Sequence, residues 1–446
     1  MKNIDLITIK TNKPAPSFRW RQFKKNKPAY ISCFILVILL FIALFSPIIA
    51  NQEPLYVSYK GHTFFPAFSW QKSYQITDAK TGVIERLQLD ITDWKRLPCD
   101  HILFALIPYS PGKKDYDNTN YKSPFEQQDF MDVNHTIVAM PIHFRHWMGT
   151  NKTGEDVLAG IIHGTQISMT VGIFAMLIAS VIGLFLGCIA GYFGDAGLSS
   201  TRGMFWMLII GLFFGSYYSF QMRFYDLEDA LATSLTSFCI QALVSIGIFA
   251  FILFIFYRLG KLMDKIPFLN RSVSIPADSV INKVIEVLSS LPNIILIITI
   301  AAITKRSLWN VAIIIGLTSW TMIARQIRSE ILRIRELEYI AAARTMGFSS
   351  FRILFFHALP NALGPAMVYI AFGIAGAIII ESSLSFLNIG VPLDTVSWGR
   401  LLNEGREQFS AWWLVIFPGF FIFLTVTTFN LIGEGIQDAM NSKHRS

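Results

Sequence analysis

His143 and His146 stand three residues apart in HFRH, with His135 a short way upstream, and imidazoles at that spacing can share a helix face and hold a zinc ion. The Met and Pro beside them mark an ordinary loop instead, and no carboxylate nearby falls at ligand spacing, so no metal is assigned. His163 and His357 are single residues near the membrane surface, suited to packing or headgroup contact. No Ser-His-Asp or His-Glu-x-x-His grouping occurs, so no catalytic residue is assigned either. A Gly-x-x-x-x-Gly-Lys-Ser/Thr loop is also missing, and the chain cannot cradle a nucleoside triphosphate in that manner. What remains is EYIAAARTMGFSSFRILFFHALPNALGP, Glu338 to Pro365, which sets Arg, Glu, His and an Ala run into very hydrophobic surroundings.

The elements around it are those of a membrane protein. The 446 residues are 53% hydrophobic, 14% aromatic and only 15% charged, with mean hydropathy +0.47, outside the usual soluble range. Eight stretches are long and apolar enough to span: 30–50, 167–189, 203–221, 233–256, 287–303, 308–324, 361–380 and 411–432. None holds a Lys, Arg, Asp, Glu or His, which counts against a proton- or ion-coupled carrier. Glu286 and Glu381 lie at span ends, where they are expected to face water or a partner. Pro292, Pro365 and Pro418 fall within spans, where a proline bends a helix, either to line a pathway or simply to pack. Of four cysteines, Cys33, Cys188 and Cys239 lie in apolar runs and Cys99 is alone, so neither a disulfide framework nor a cysteine metal site is supported.

The formal charge of +8 is a matter of position, not of nucleic acid. Residues 1–29 carry eight Lys and Arg against Asp5, which places the N-terminus in the cytoplasm by the positive-inside rule. Alternation then makes 51–166 extracytoplasmic, and 258–286, 325–360 and the C-terminal NSKHRS cytoplasmic; all three are basic. Lys305 and Arg306 fall in an external turn and fit poorly. The segment 51–166 balances acids and bases, is rich in Trp, Tyr, Pro and Asp, and reads as a small domain or a cover on the mouth of the bundle. The remainder, 167–440, is the transmembrane domain.

Locally, RQIRSEILRIRELE continues the sixth span as a charged helix in which Ile327, Ile331, Ile334 and Leu337 recur at helical spacing, an apolar face that needs a partner. EYIAAARTM forms a helix ending at Gly347, a residue suited to the left-handed C-terminal position. Ser349 or Ser350 then caps a helix, FRILFFHAL, predicted to stop where Pro360 begins the next span. Ala341, Ala342 and Ala343 let another surface approach closely, and Arg344 and Arg352 supply charge around the contact. Periodicity alone leaves two readings open, a knob that docks in a groove and an amphipathic helix on lipid headgroups.

These residues resemble the cytoplasmic EAA coupling loop of permease subunits of bacterial ABC importers, with the family's Gly at Gly347 and its Leu-Pro pair at Leu359 and Pro360. Ala341 stands where the family's Glu is common, with Glu338 kept upstream. Met148 to Gly172 is similar to the family's entry into its second span, with Asn151 and Glu155 in place of the usual Asp and Arg, and Gly187 to Gly197 resembles the exit from it. Glu381 to Met440 resembles the family's C-terminal pattern, including Ser397, Trp398, Gly399, Trp413, Pro418, Asn430 and Gly433. The match points to the C-type subunit of the dipeptide, oligopeptide and nickel branch. Ala50 to Phe68 resembles the long external insertion of microcin C-type and related oligopeptide importers. Residues 198–279, with extra spans at about 203–256, have no counterpart in the usual six-span subunit.

The resemblance implies an all-α polytopic inner-membrane protein with the type I ABC importer fold. It would pair with a second permease, bind ABC ATPase subunits through 330–359, including Glu338, and receive oligopeptides or dipeptides from an extracytoplasmic binding protein. ATP and Mg would be used by the ATPase subunits, with no cofactor on this chain. Nickel or a microcin C-like antibiotic is the alternative cargo, and a non-transporting scaffold the alternative class.

Overall fold

A computed structural model describes residues 16–69, 73–77, 84–89, 92–131, 136–392 and 394–441; His135 and the C-terminal basic residues lie outside them. Fourteen α-helices are described: α1 Pro16–Lys25, α2 Lys27–Ile49, α3 Val157–Phe193, α4 Arg202–Ser216, α5 Phe224–Thr233, α6 Leu235–Met263, α7 Ala277–Ser289, α8 Asn293–Ile303, α9 Leu308–Arg335, α10 Glu338–Thr345, α11 Ser350–Arg352, α12 Leu359–Phe386, α13 Trp398–Glu407 and α14 Trp413–Asn441. Seven helices among the described residues are long and apolar enough to cross a membrane, and α7 with α8 makes an eighth if that bent pair counts as one span.

That pair departs from the expected continuous run over 287–303. The chain turns through 81° between Ser290 and Asn293, where Pro292 cannot extend the preceding helix. α8 alone is 11 residues, about 16 Å, roughly half of a bilayer core. Pro365 and Pro418, by contrast, lie inside the continuous helices α12 and α14.

α3 and α9 form the heart of the bundle. Asp156 caps α3 by accepting from the Ala159 N–H at 2.6 Å, which starts the helix ten residues before its apolar stretch. Gly183, Gly187 and Gly191 recur every fourth residue on one face, and a Cβ at Gly187 would lie 2.6 Å from the Ala324 carbonyl oxygen. The two backbones therefore approach closely, and Ile323, Ile327 and Ile331 fill the seam, each buried. The apolar face of α9 predicted to need a partner thus finds it within the chain; Ile334 is buried as well, and only Leu337 is exposed.

Glu381 corrects a second expectation. It is fully buried, accepting hydrogen bonds from Ser168 at 2.7 Å, Ser385 at 2.8 Å and Ser382 at 3.3 Å. Hydroxyl donors from α3 and α12 replace the water it was expected to face. Just beyond it α13 docks, with Trp398 fully buried and donating its indole N–H to the Ile161 carbonyl at 3.0 Å.

Helices α4 and α6 form a hairpin that packs on itself and stands apart from the bundle. Gly211 and Gly215 let Phe256 and Phe249 close in, while Phe213, Leu243, Phe251 and Phe254 remain exposed, as acyl chains require. A two-stranded ladder, Ser199–Thr201 with Ser272–Ser274, joins the hairpin to the rest at one end. At the other, Lys305, in the turn between α8 and α9, pairs with Glu228 at 2.9 Å and lies over the Tyr225 ring. Thr201 and Ser272 are direct ladder partners, so replacing residues 202–271 with an Asn-Gly turn closes a natural β-hairpin. The shortened chain is expected to melt within a few degrees of the full one in detergent; aggregation of the shortened chain would show that the bundle needs the hairpin.

The described residues of 51–156 cap the opposite end from the α9–α10 turn with three small antiparallel sheets, ordered β2-β1-β5, β3-β4 and β6-β7 (Tyr56–Tyr59, His62–Phe64, Ser73–Thr77, Ile84–Gln88, His101–Leu103, Asp129–Met131 and Ile137–Ala139 in chain order). Val57, Tyr59, Leu87, Leu89 and Trp94 form their core. The cap is tied down by the Trp413 indole, which donates to the Thr150 carbonyl at 3.0 Å. A charged network adds to this: Arg400 reaches Glu155 at 3.0 Å and Glu404 at 2.9 Å, and Asn151 donates to both carboxylates. Asn151 and Glu155, which depart from the usual Asp and Arg, are thus matched by Arg400.

Candidate coupling surface

At the end of the bundle remote from the cap, α9 runs out as a rigid helix to Arg335, and the chain reverses through α10. Glu338 opens α10, where an acid complements the helix dipole. The helix closes in a Schellman motif: Phe348 N–H donates to the Ala343 carbonyl at 3.2 Å, Gly347 N–H to that of Arg344 at 2.9 Å, and Gly347 has φ +78°. Ser349 then accepts from the Arg352 N–H at 3.4 Å and starts the next helix.

The helix does not stop at Pro360, as the sequence suggested. It widens into a π-turn over Ile353–Ala358 and continues through Pro360 to Phe386. Proline has no N–H to donate and its ring collides with the carbonyl four residues back, and a wider turn just before it relieves both.

The knob has two faces. Ile340, Ala343, Ile353, Leu354 and Ala358 are buried against the core, and Leu359 packs at its edge. Ala343 therefore belongs to the inner face, because α10 turns it towards the bundle. Ala341, Ala342, Arg344, Gly347, Arg352 and Pro360 are exposed, as is Glu338. The arginines are held in place: Arg344 stacks over Tyr192 at 5.6 Å, Arg352 over Phe348 at 4.7 Å, and Arg335 donates to the Gly191 carbonyl at 3.3 Å. Small exposed side chains flanked by anchored cations, on a helix keyed to the bundle, form the outer face of the knob.

A groove of about 550 Å³ lies at the break between α7 and α8. Pro292, Thr318, Thr321, Met322, Tyr369 and Gly376 line it, so α9 and α12, the helices that flank the knob, also wall this groove.

One buried cluster escaped the sequence reading. His146 is fully buried, with Nδ1 2.8 Å from Asp156 and Nε2 3.0 Å from Asp115, and its ring stacks on Tyr109 at 4.1 Å. His143, by contrast, is exposed with its ring tilted against Phe144, and no group of His, Cys, Asp and Glu among the described residues is set to hold a metal. The signal was faint, since Asp115 and His146 are distant in sequence. Burial pushes the imidazolium down, but the bonds to Asp115 and Asp156 outweigh it and hold His146 above its ordinary value of 6.5. Burial pushes Asp115 up, and His146 and Asn118 more than offset that, leaving it below its ordinary 3.8.

The His146 contribution to stability is therefore fully present below 6.5 and lost as pH rises through the raised value. That of Asp115 is present above 3.8 and lost as pH falls through the lowered one. The melting temperature of the chain is expected to fall as pH rises from 6.5 through the raised value. His146→Gln should flatten that slope, and an unchanged slope would assign it elsewhere.

Residues 268–446 match the family described as binding-protein-dependent transport system inner membrane component, and residues 18–66 match the N-terminal TM domain of oligopeptide transport permease C. The dipeptide transport system permease protein DppC of Alkalihalophilus pseudofirmus is 29% identical over 302 residues, 68% of this chain and 73% of that protein. The inner membrane ABC transporter permease protein YejE of Escherichia coli is 26% identical over 433 residues, covering 96% and 97%. The glutathione transport system permease protein GsiD of Pectobacterium atrosepticum is 28% identical over 327 residues, 73% and 81%. With these matches, its long apolar helices and its type I importer fold, the chain belongs to the inner-membrane permease components of binding-protein-dependent ABC transport systems.

Proposed function

We propose that the chain forms one half of a peptide-import pathway, with both termini in the cytoplasm and the knob 330–359 seated in a cleft of an ABC ATPase subunit. The observation that carries this reading is the two-faced knob: its inner face is locked to the bundle by Ile340, Ala343 and Leu354, and its outer face offers Ala341, Ala342 and Gly347 between Arg344 and Arg352. A lipid-surface helix would present an apolar face to the headgroups, whereas the apolar face of α10 is turned into the protein.

A second permease completes the pathway, and an extracytoplasmic binding protein delivers the peptide to the capped end. Closure of the ATPase subunits, which bind ATP and Mg, draws the two knobs together and turns the pathway outward; this chain contributes shape and stiffness, not chemistry. The relatives' names, dipeptide and glutathione permeases, support peptides over nickel as cargo.

A mild-detergent pull-down of the tagged chain with mass spectrometry tests the assembly. A second permease and P-loop ATPases are expected with it; recovery of the chain alone, under conditions that preserve other such complexes, would favour a scaffold. Peptide uptake that collapses with an ion gradient and not with ATP would remove the importer reading.

A further inference from the structure

The cap contains a cavity of about 290 Å³ beside the His146 cluster, walled by Lys95, Arg96, Tyr109, Lys113, Lys114 and Phe130 among others. Three carboxylates also reach its wall, and all three are engaged. Asp115 is bonded to His146 and Asn118, Asp117 to Arg96 and the Met131 N–H, and Asp93 to Arg96 and the Lys95 N–H. Arg96 pairs with Asp117 and Asp93 and sets its guanidinium over Phe130, while its buried Nε makes no hydrogen bond.

The three lysines are not consumed. Among the described residues none of Lys95, Lys113 and Lys114 makes a side-chain hydrogen bond or ion pair. Lys113 and Lys114 are exposed at the mouth, but Lys95 is largely buried. Its ammonium sits 3.3 Å from the Tyr109 ring centre and 5.3 Å from that of Phe144, so its donors meet ring faces and not acceptor oxygens. The Tyr109 hydroxyl gives it nothing, being committed to the Phe144 carbonyl at 2.5 Å. The net result is a cationic cavity with apolar walls of Tyr109, Phe130 and Met140.

We propose that this cavity binds a carboxylate borne on a peptide segment, with Lys95 as the buried ion-pair partner, Lys113 and Lys114 guiding it in, and the rings packing the neighbouring side chain. The carboxylate has two sources, the free C-terminus of a cargo peptide or an acidic side chain of the docked binding protein. Lys95 faces Asp93, Arg96, Asp115, Asp156 and Tyr109, with Lys113 and Lys114 on the same cavity wall, and burial, opposed by Asp115, Asp156 and Asp93, brings it down to about 8. Carboxylate binding favours the protonated form, so affinity holds below that value and declines above it.

The choice of source rests on the import reading, but the carboxylate site does not, because binding to the purified chain needs neither ATPase nor transport. Failure of the pull-down and failure of the following titration are therefore separate results. The full chain in nanodiscs is titrated calorimetrically with an N-acetylated Ala-Ala-Phe acid and with its C-terminal amide. The acid is expected to bind roughly ten-fold or more tightly than the amide, and Lys95→Met should abolish that preference. Should Lys95→Met fail to fold, Lys113→Gln with Lys114→Gln, both at exposed positions, should weaken the acid selectively. Where neither peptide binds, a roughly ten-fold loss of binding-protein docking in these variants supports the site and assigns the carboxylate to that partner. Acid and amide binding alike, or no peptide binding together with unchanged docking in these variants, overturns the proposal.

Discussion

Replacing Gly347 with valine is expected to cut ATP-driven uptake by roughly five- to thirty-fold while the chain stays in the membrane at its normal level. Gly347 sits at φ +78°, and a Cβ there would meet nothing within 4 Å. The cost is therefore pure backbone strain, about 1–2 kcal/mol for a side chain in the left-handed region and at the upper end for a β-branched one. The cheapest escape is for the Schellman turn to open, which releases the bonds from Phe348 and Gly347 and turns α10 away from α11. The proposed fit of the knob into an ATPase cleft is then misaligned for most of its time, although the bundle does not depend on the turn. Gly347→Asn separates conformation from bulk, since asparagine tolerates the same φ and should restore most of the uptake. Normal uptake with valine would remove the turn from the coupling path.

Gly187→Leu is expected to abolish accumulation of folded protein altogether. Its Cβ would stand 2.6 Å from the Ala324 carbonyl oxygen and 2.9 Å from the Ile327 Cβ, with most of the leucine still to be placed. No rotamer helps, because the collision is with backbone, so α3 and α9 must separate along their whole seam. Over-packing usually costs about 1–3 kcal/mol where neighbours can yield, and here Gly183 and Gly191 hold the same close approach on either side. Gly187→Ala is the graded control, expected to lower the melting temperature without eliminating the protein. Thermal unfolding in detergent, followed by size-exclusion, reads both; a well-folded leucine variant would mean the seam is looser than its geometry.

Hydropathy located the membrane helices because lipid leaves no alternative to apolar runs, and glycine chemistry located the turn at Gly347 because few other residues accept its φ. The break at Pro292 was marked by SSLPN, but an apolar run conceals an 81° turn as readily as a straight span. Glu381 could not be placed from its neighbours, since its partner Ser168 lies 213 residues away. The seam glycines were visible at four-residue spacing in GLFLGCIAG, yet which helix they faced depended on a contact distant in sequence. Ala343 was distinguished from Ala341 and Ala342 only by the roll of α10 about its axis. The lysines of the cap cavity gave no pattern at all, because strands and loops brought them together.

The close seam between α3 and α9 has a mechanical consequence. Two helices that touch backbone to backbone cannot slide independently, so they move as one lever. α9 is 28 residues long, about 42 Å, with Thr321 at the groove wall and Arg335 about 21 Å further along. A tilt of about 5° around Thr321 carries the root of the knob through roughly 2 Å, and the doubled rod returns that displacement to the groove without bending.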